Sequence, residues 1–170
     1  MGPGNDTGGY RNIRMKLIFS ALMLLMSAAV LADVPLSSQM DSYLVTHKDG
    51  KEVVEEATEA SPGDIVEYRL TYTNNGDQPL SGLVITGPIP TNTVYLKGSA
   101  ATQVNADFTV SIDNGDSFQA EPITKIVTGE NGQAKNVEVS PSDYTQVRWQ
   151  PKGSLQPDQV QEYRYRVTVE

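Results

Sequence analysis

A single histidine, His47, limits the acid–base chemistry open to this 170-residue sequence. A serine–histidine–aspartate triad would have to use His47 as its base. This residue lies on a predicted strand beside the Asp49-Gly50 turn, and the sequence has no G-x-S-x-G motif to present a nucleophile. The pattern indicates a surface or edge histidine. Because cysteine is absent, a zinc site would depend on carboxylates, so we expect no catalytic residue, no metal and no cofactor.

Two acidic clusters have residue types that bind cations. The first comprises four glutamates ahead of the Pro62 turn: Glu52, Glu55, Glu56 and Glu59. Runs of like charge usually repel one another in water, so we interpret this cluster as a solvated loop. The second runs from Asp113 to Asp116 but lacks the D-x-D-x-D-G spacing and the later glutamate of a calcium loop. Its Asn114-Gly115 dipeptide predicts a tight hairpin turn.

Aromatic side chains could form a flat platform for sugar rings. The candidates are Tyr43, Tyr68, Tyr72, Tyr95, Tyr144, Tyr163, Tyr165 and Trp149. At alternating positions of facing strands such rings usually belong to the core, so we expect Trp149 to be a central core residue. A carbohydrate-binding module that uses exposed tyrosines, Tyr95 or Tyr144 among them, stays as the alternative.

Period-two alternation indicates the elements that would position these residues. In residues 65–74, one face carries Val66, Tyr68, Leu70 and Tyr72, and the other carries Glu67, Arg69, Thr71 and Thr73. Residues 160–170 repeat the pattern, with Tyr163, Tyr165, Val167 and Val169 inward and Glu162, Arg164, Arg166 and Thr168 outward. Such alternation is typical of strands with one buried and one solvated face. We expect the outward charges to discourage edge pairing between molecules.

Further strands are predicted at 43–47, 51–54, 83–86, 93–96, 108–112, 123–127, 136–139 and 145–150. Turn signals separate them, chiefly Asp49-Gly50, Asn75-Gly76, Asn114-Gly115 and Asn131-Gly132, dipeptides that accept positive φ angles. Many short strands between such turns predict an all-β, Ig-like β-sandwich of about seven to nine strands.

The start of the chain has the features of a cleavable signal peptide. Lys16 precedes an apolar run from Leu17 to Leu31, and a small-residue cleavage site places the cut between Ala32 and Asp33. We therefore predict a mis-called start or disordered extension at 1–14, a signal peptide at 15–32, a flexible N-terminal segment at 33–42 and the sandwich at 43–170. Without a cysteine there is no lipoprotein anchor, and we expect no stable membrane anchor after cleavage.

The net charge of the chain limits the classes of partner that it is expected to bind. The sequence carries a formal net charge of −8, and removal of Arg11, Arg14, Lys16 and Asp6 with the leader brings it to −10. An acidic surface repels phosphate backbones and anionic lipid heads. We therefore do not expect nucleic acid or a membrane surface to be a partner.

Several motifs occur in the order found in one bacterial family. They are Pro62-Gly63-Asp64, 68–74, Val84 to Thr86, Pro88 to Pro90, and Tyr95 to Ser99, followed by 111–118, 143–149 and 153–169. Over 43–170 the sequence resembles the Ig-like "domain of unknown function 11" family of bacterial surface and exported proteins, in its short single-module form. The resemblance implies the fold but no catalytic residues. We therefore expect a non-enzymatic periplasmic or secreted structural or interaction module whose partner is a protein or an envelope polymer, bound through loops or an edge strand.

Overall fold

The strand with the clearest alternation, β3 (Ile65–Asn74), lies in the middle of the larger of two packed sheets. The computed structural model describes residues 35–128 and 132–170. Eleven strands are present in these residues: β1 (Leu36–Lys48), β2 (Lys51–Glu56), β3, β4 (Ile85–Pro88), β5 (Thr93–Tyr95), β6 (Ala101–Thr102), β7 (Ala106–Ser111), β8 (Thr124–Thr128), β9 (Ala134–Glu138), β10 (Gln146–Pro151) and β11 (Val160–Val169). A 3-10 turn spans Pro141–Asp143.

The large sheet has the order β2-β1-β3-β11-β5, and β6 also pairs with β11. The small sheet has the order β4-β10-β7, and β8 and β9 form a separate hairpin. All neighbouring strands are antiparallel. The all-β sandwich predicted from the alternation is confirmed, with eleven strands in place of seven to nine because several are only two to four residues long.

The core lies between the two sheets, where the inward positions of β3, β10 and β11 meet. Trp149 of β10 is 2% exposed, and its ring centroid lies 5.6 Å from that of Tyr163 and 6.1 Å from that of Tyr165 on β11. Val66 and Leu70 of β3 are also buried in this cluster. The prediction that Trp149 is a central core residue is confirmed.

Close packing of the small sheet on the large one depends on Gly87 in β4. A Cβ atom built at Gly87 would lie 2.6 Å from Cε1 of Tyr165, which is closer than carbon atoms pack. The Tyr165 hydroxyl donates a hydrogen bond to the carbonyl oxygen of Pro88 on the same strand. Gly87 therefore lets β4 lie directly on the Tyr165 ring.

The predicted flexible segment at 33–42 is wrong from Leu36 onward. Residues Leu36 to Asp41 belong to β1 and pair with β3, from Leu36 opposite Asn74 to Asp41 opposite Arg69. This segment contains the polar residues Ser37, Ser38 and Gln39 and no apolar run that would indicate a strand. Its backbone hydrogen bonds to β3 hold it as a strand regardless of side-chain type.

The predictions for the start of the chain lie outside the described residues. They are the extension at 1–14, the signal peptide at 15–32 and the cut between Ala32 and Asp33. Within residues 35–128 and 132–170, no helix has the length and apolar character needed to cross a membrane.

Candidate strand-docking site

The residues first considered for catalysis do not converge. His47 lies exposed near the end of β1 and pairs across the hairpin with Glu52. Among the described residues, no group of three or more histidine, aspartate or glutamate side chains could hold a metal ion. Three of the four acidic-run glutamates, Glu52, Glu55 and Glu56, are exposed as predicted but lie on the strand β2, so the predicted loop is wrong for them. Glu59 is exposed after that strand.

The second acidic cluster forms a turn in which the Asp113 carboxylate accepts hydrogen bonds from neighbouring residues. Asn114 and Gly115 both have positive φ angles, 57° and 96°, which confirms the predicted tight turn. Asp113 accepts hydrogen bonds from the Ser117 backbone N–H (2.9 Å), the Ser117 hydroxyl (2.5 Å) and the Ser111 hydroxyl (2.7 Å). These donors, led by the Ser117 hydroxyl, lower the pKa of Asp113 to about 2.

We expect an NMR titration to find the Asp113 carboxyl still ionised when most other carboxyls of the protein are protonated. The Ser117→Ala variant removes the strongest donor, so the Asp113 pKa should rise toward the ordinary aspartate value of 3.8. A Ser142→Ala variant, which changes an exposed serine hydroxyl outside this turn, is the control and should leave the Asp113 pKa at about 2. An unchanged Asp113 pKa in the Ser117 variant contradicts the assigned cause.

No tyrosine of the described residues is fully exposed. Tyr95 and Tyr144 are 2% and 3% exposed and stack on each other with ring centroids 6.0 Å apart. Burial, with a smaller contribution from the charge of Glu121, raises the pKa of Tyr95 to about 12. These two rings are core residues, so a carbohydrate platform would lack the tyrosines proposed to form it.

A buried carboxylate that the alternation assigned to solvent lies on the outer face of the large sheet. Glu67 of β3 is 0% exposed. Its Oε1 accepts from Nε of Arg69 at 2.7 Å, and its Oε2 accepts from Nε of Arg166 at 2.8 Å. Arg166 also donates through Nη1 and Nη2 to the two carboxylate oxygens of Glu52 at 2.8 and 2.7 Å. We call Glu52, Arg166, Glu67 and Arg69 the outer-face ion network.

The outer-face ion network shows that the β1–β2 hairpin bends across the large sheet. In the sheet order, β1 and β3 lie between β2, which carries Glu52, and β11, which carries Arg166. A flat sheet would hold these two strands too far apart for direct contact, because neighbouring strands are about 4.8 Å apart. Val45 of β1, on the same face as Glu67, is 6% exposed. The hairpin therefore covers Glu67 and fixes β1 against β3.

The ionised form of Glu67 is favoured despite its burial. Burial raises the pKa of this carboxyl, but the hydrogen bonds from Arg69 and Arg166 and the charges of both arginines more than compensate. The net effect holds the pKa of Glu67 below its ordinary value of 4.5. The guanidinium of Arg69 also lies 4.3 Å from the Tyr43 ring centroid of β1, a cation–π contact that adds to the fixation of this strand.

The N-terminal half of β1 leaves one edge of the large sheet open. β2 pairs with β1 only from Tyr43 to Lys48, with a last backbone hydrogen bond from the Ala57 N–H to the Ser42 carbonyl at 2.9 Å. That bond shows that Ser42 directs its backbone groups away from β3. Because strand backbones alternate in direction, Leu36, Ser38 and Met40 do the same. We call 36–42 the open edge.

A further hydrogen bond supports this assignment of directions. The Pro35 carbonyl accepts from the Asn75 N–H at 2.6 Å, so odd-numbered residues of this segment face β3. In the described part of the chain no strand pairs with Leu36, Ser38 or Met40 on the outer side. A groove of about 330 Å³ lies along this edge, lined by 39–43 and 56–57.

Other sheet edges of the described residues are shorter or carry more charge. The edge strand β2 has four charged residues among six, Lys51, Glu52, Glu55 and Glu56, which discourage pairing with another chain. In the small sheet, Val110 of β7 already exchanges two backbone hydrogen bonds with Gln119, at 2.8 and 2.9 Å, and β4 has only four residues and ends at Pro88. The open edge carries one charge, Asp41, and no proline after Pro35.

Sequence reasoning missed both the open edge and the burial of Glu67. A signal for the edge was present, because Leu36 and Met40 share the even-numbered phase of Leu44. No signal for the burial of Glu67 was available, since it depends on how the hairpin bends.

Three comparisons with known proteins found no similar protein. No protein-family profile matches the chain, no curated protein matches it, and no solved structure matches it. The resemblance to the "domain of unknown function 11" family therefore stays a prediction.

Proposed function

We propose that this protein is an exported, non-enzymatic interaction module that binds an extended segment of its partner along the open edge. The partner is a protein or an envelope polymer in the periplasm or outside the cell. The observation that carries the proposal is the open edge itself. Among residues 35–128 and 132–170, no strand pairs with the outward backbone groups of Leu36, Ser38 and Met40, and a groove of about 330 Å³ lies beside Met40.

Strand addition needs a rigid template, and the fold provides one. β1 is paired with β3 from Leu36 to Val45, and the bond from Arg166 to Glu52 ties the β1–β2 hairpin to β11. An added strand would therefore gain backbone hydrogen bonds without the cost of ordering the template. The side chains beside the edge are small or flexible, namely Ser37, Ser38, Gln39 and Met40. They leave the backbone accessible to an approaching strand.

Two further features support a binding role without catalysis. His47, the only histidine of the sequence, is exposed and pairs across the hairpin with Glu52, far along β1 from the open edge. The acidic charge of −8 disfavours nucleic acid and anionic membrane surfaces as partners.

We expect the Ser38→Pro variant to lose capture of its partner from the envelope fraction of the host. Proline removes the N–H that Ser38 directs outward, and proline is tolerated on an edge strand. The Ser38→Ala variant is the matched control, because it removes the hydroxyl but keeps the N–H. Pull-down with the purified protein and quantitative mass spectrometry should show at least a tenfold loss for Ser38→Pro and no loss for Ser38→Ala.

Thermal unfolding of both variants checks that the fold is intact. Equal capture by Ser38→Pro and Ser38→Ala, with both variants folded, would overturn binding through the open edge.

A further inference from the structure

We infer that the segment bound at the open edge is the same strand of a second copy, so that two molecules pair antiparallel through β1 about a two-fold axis at Ser38. This inference rests on the proposed function, because it uses the same edge. It names the partner that the edge fits best.

Hydrogen-bond directions fix the register of the pairing. Residues that direct their backbone groups outward must face one another in an antiparallel pair, so even positions pair with even positions. Ser42 already gives its carbonyl to Ala57, which leaves Leu36, Ser38 and Met40. The register that satisfies all three places Ser38 opposite Ser38 and Leu36 opposite Met40. The outward backbone groups of Leu36, Ser38 and Met40 then all have partners on the second copy.

The side chains of the open edge are complementary to themselves in this register. Leu36 and Met40 project from the face of β1 that continues the core face of β3, since Met40 pairs with Leu70. The small sheet does not cover this part of β1, and Met40 is 41% exposed. Pairing places Met40 of each copy against Leu36 of the other, with two small serines between them. Directly opposed apolar side chains of this kind stabilise antiparallel pairs.

Charge is compatible with the same register. The only charged residue of the open edge, Asp41, lies three positions from the axis, so the two Asp41 carboxylates are about 20 Å apart. Each also accepts hydrogen bonds from the Gln39 amide of its own strand, at 2.9 and 3.0 Å. The edge strand β2 would instead bring several charges of each copy together. Two acidic molecules repel at long range, so added salt should strengthen the pairing.

Single-cysteine variants test the register, because the sequence contains no cysteine. In the proposed dimer the Ser38 Cα atoms are about 5.5 Å apart, within the range that a disulfide spans. The Ser37 Cα atoms are about 8 Å apart on the opposite face, which is too far for a disulfide. We expect mild oxidation to cross-link Ser38→Cys into a dimer at least tenfold faster than Ser37→Cys. Equal rates for the two variants would overturn the register.

Sedimentation equilibrium gives a second readout that does not depend on cysteine. Ser38→Ala should dimerise with rising protein concentration, and more strongly with added salt, whereas Ser38→Pro should stay monomeric. A Ser38→Ala variant that stays monomeric, together with a Ser38→Cys variant that does not cross-link, would overturn the second copy as the partner. In that case, a difference between Ser38→Ala and Ser38→Pro in capture from the envelope fraction would still support the proposed function.

Discussion

The Trp149→Ala variant is expected to lose about 3 to 5 kcal/mol of the free energy of unfolding, the range found when buried aromatic residues are truncated to alanine. Trp149 is 2% exposed and contacts rings from both sheets: its centroid lies 5.2 Å from that of Phe108 and 5.6 Å from that of Tyr163. Its removal leaves a cavity at the point where the two sheets pack, and a closed sandwich cannot readily collapse into it. Urea unfolding followed by circular dichroism measures the loss.

The control for this variant is Ile126→Ala on the β8–β9 hairpin. Ile126 is 74% exposed, so its truncation removes little buried area and should change the free energy of unfolding by less than about 0.5 kcal/mol. If the two variants lost similar amounts of the free energy of unfolding, Trp149 would not be a major source of core stability.

The Glu67→Ala variant is expected to lose about 3 kcal/mol at neutral pH, the lower end of the range for removing one partner of a buried ion pair. The lower end applies because the arginine side chains that lose their acceptor are partly exposed, 27% for Arg69 and 21% for Arg166. The variant also releases the β1–β2 hairpin from the middle of its ion network. Urea unfolding at neutral pH measures this loss.

The pH dependence distinguishes the ion network from simple packing. The pKa of Glu67 is lower in the folded protein than its ordinary value of 4.5, so the ionised carboxylate stabilises the fold. This contribution is fully present above about pH 4.5 and is lost as the pH falls through the lowered pKa of the folded state. The difference in stability between the wild type and Glu67→Ala should therefore shrink in that acidic window.

Glu52→Gln is the matched control for the ion network. It removes a carboxylate that also pairs with Arg166 but lies at the exposed end of the network. Its effect on stability should be clearly smaller than that of Glu67→Ala. A difference between wild type and Glu67→Ala that stays constant with pH would show that Glu67 acts through packing alone.

Alternation in the sequence predicted which side chains of β3 and β11 face the core, because a strand must place every second residue on the same face. Val66, Leu70, Tyr163 and Tyr165 are all in the core cluster. The same alternation placed Glu67 on the outer face correctly but could not show that this face is covered. Coverage depends on a bend of the β1–β2 hairpin, which brings Glu52 to Arg166 across 114 residues of sequence.

The backbone conformation of a turn was predicted correctly where the dipeptide itself closes a hairpin. It was predicted wrongly where a buried side chain organises the loop. Asp49 and Gly50 both have positive φ angles, as predicted for the β1–β2 turn. Asn75 and Gly76 do not. There the buried Asn74 amide donates to the carbonyls of Gln78 and Leu155 at 2.8 and 2.9 Å and organises the loop. Its contact with Leu155, 81 residues away, has no local signal.

The open edge was not predicted because side-chain patterns say little about strands held mainly by their backbone. Segment 36–42 has serines and a glutamine where a strand of the core would have valine or tyrosine. Its pairing with β3 is set by the backbone of its neighbour. The polar composition of this segment prevented its recognition as a strand. The same composition leaves the edge free of bulky side chains.

The position of β11 has a consequence for the speed at which the protein folds. This strand lies between β3 and β5 in the large sheet and supplies Tyr163, Tyr165 and Val167 to the core. Its pairing with β3 joins residues that are far apart in the sequence, such as Glu67 and Arg166, which are 99 residues apart. Because the entropy cost of closing so long a loop precedes any gain from the contacts, we expect the large sheet to form slowly, as in other proteins dominated by non-local strand pairing.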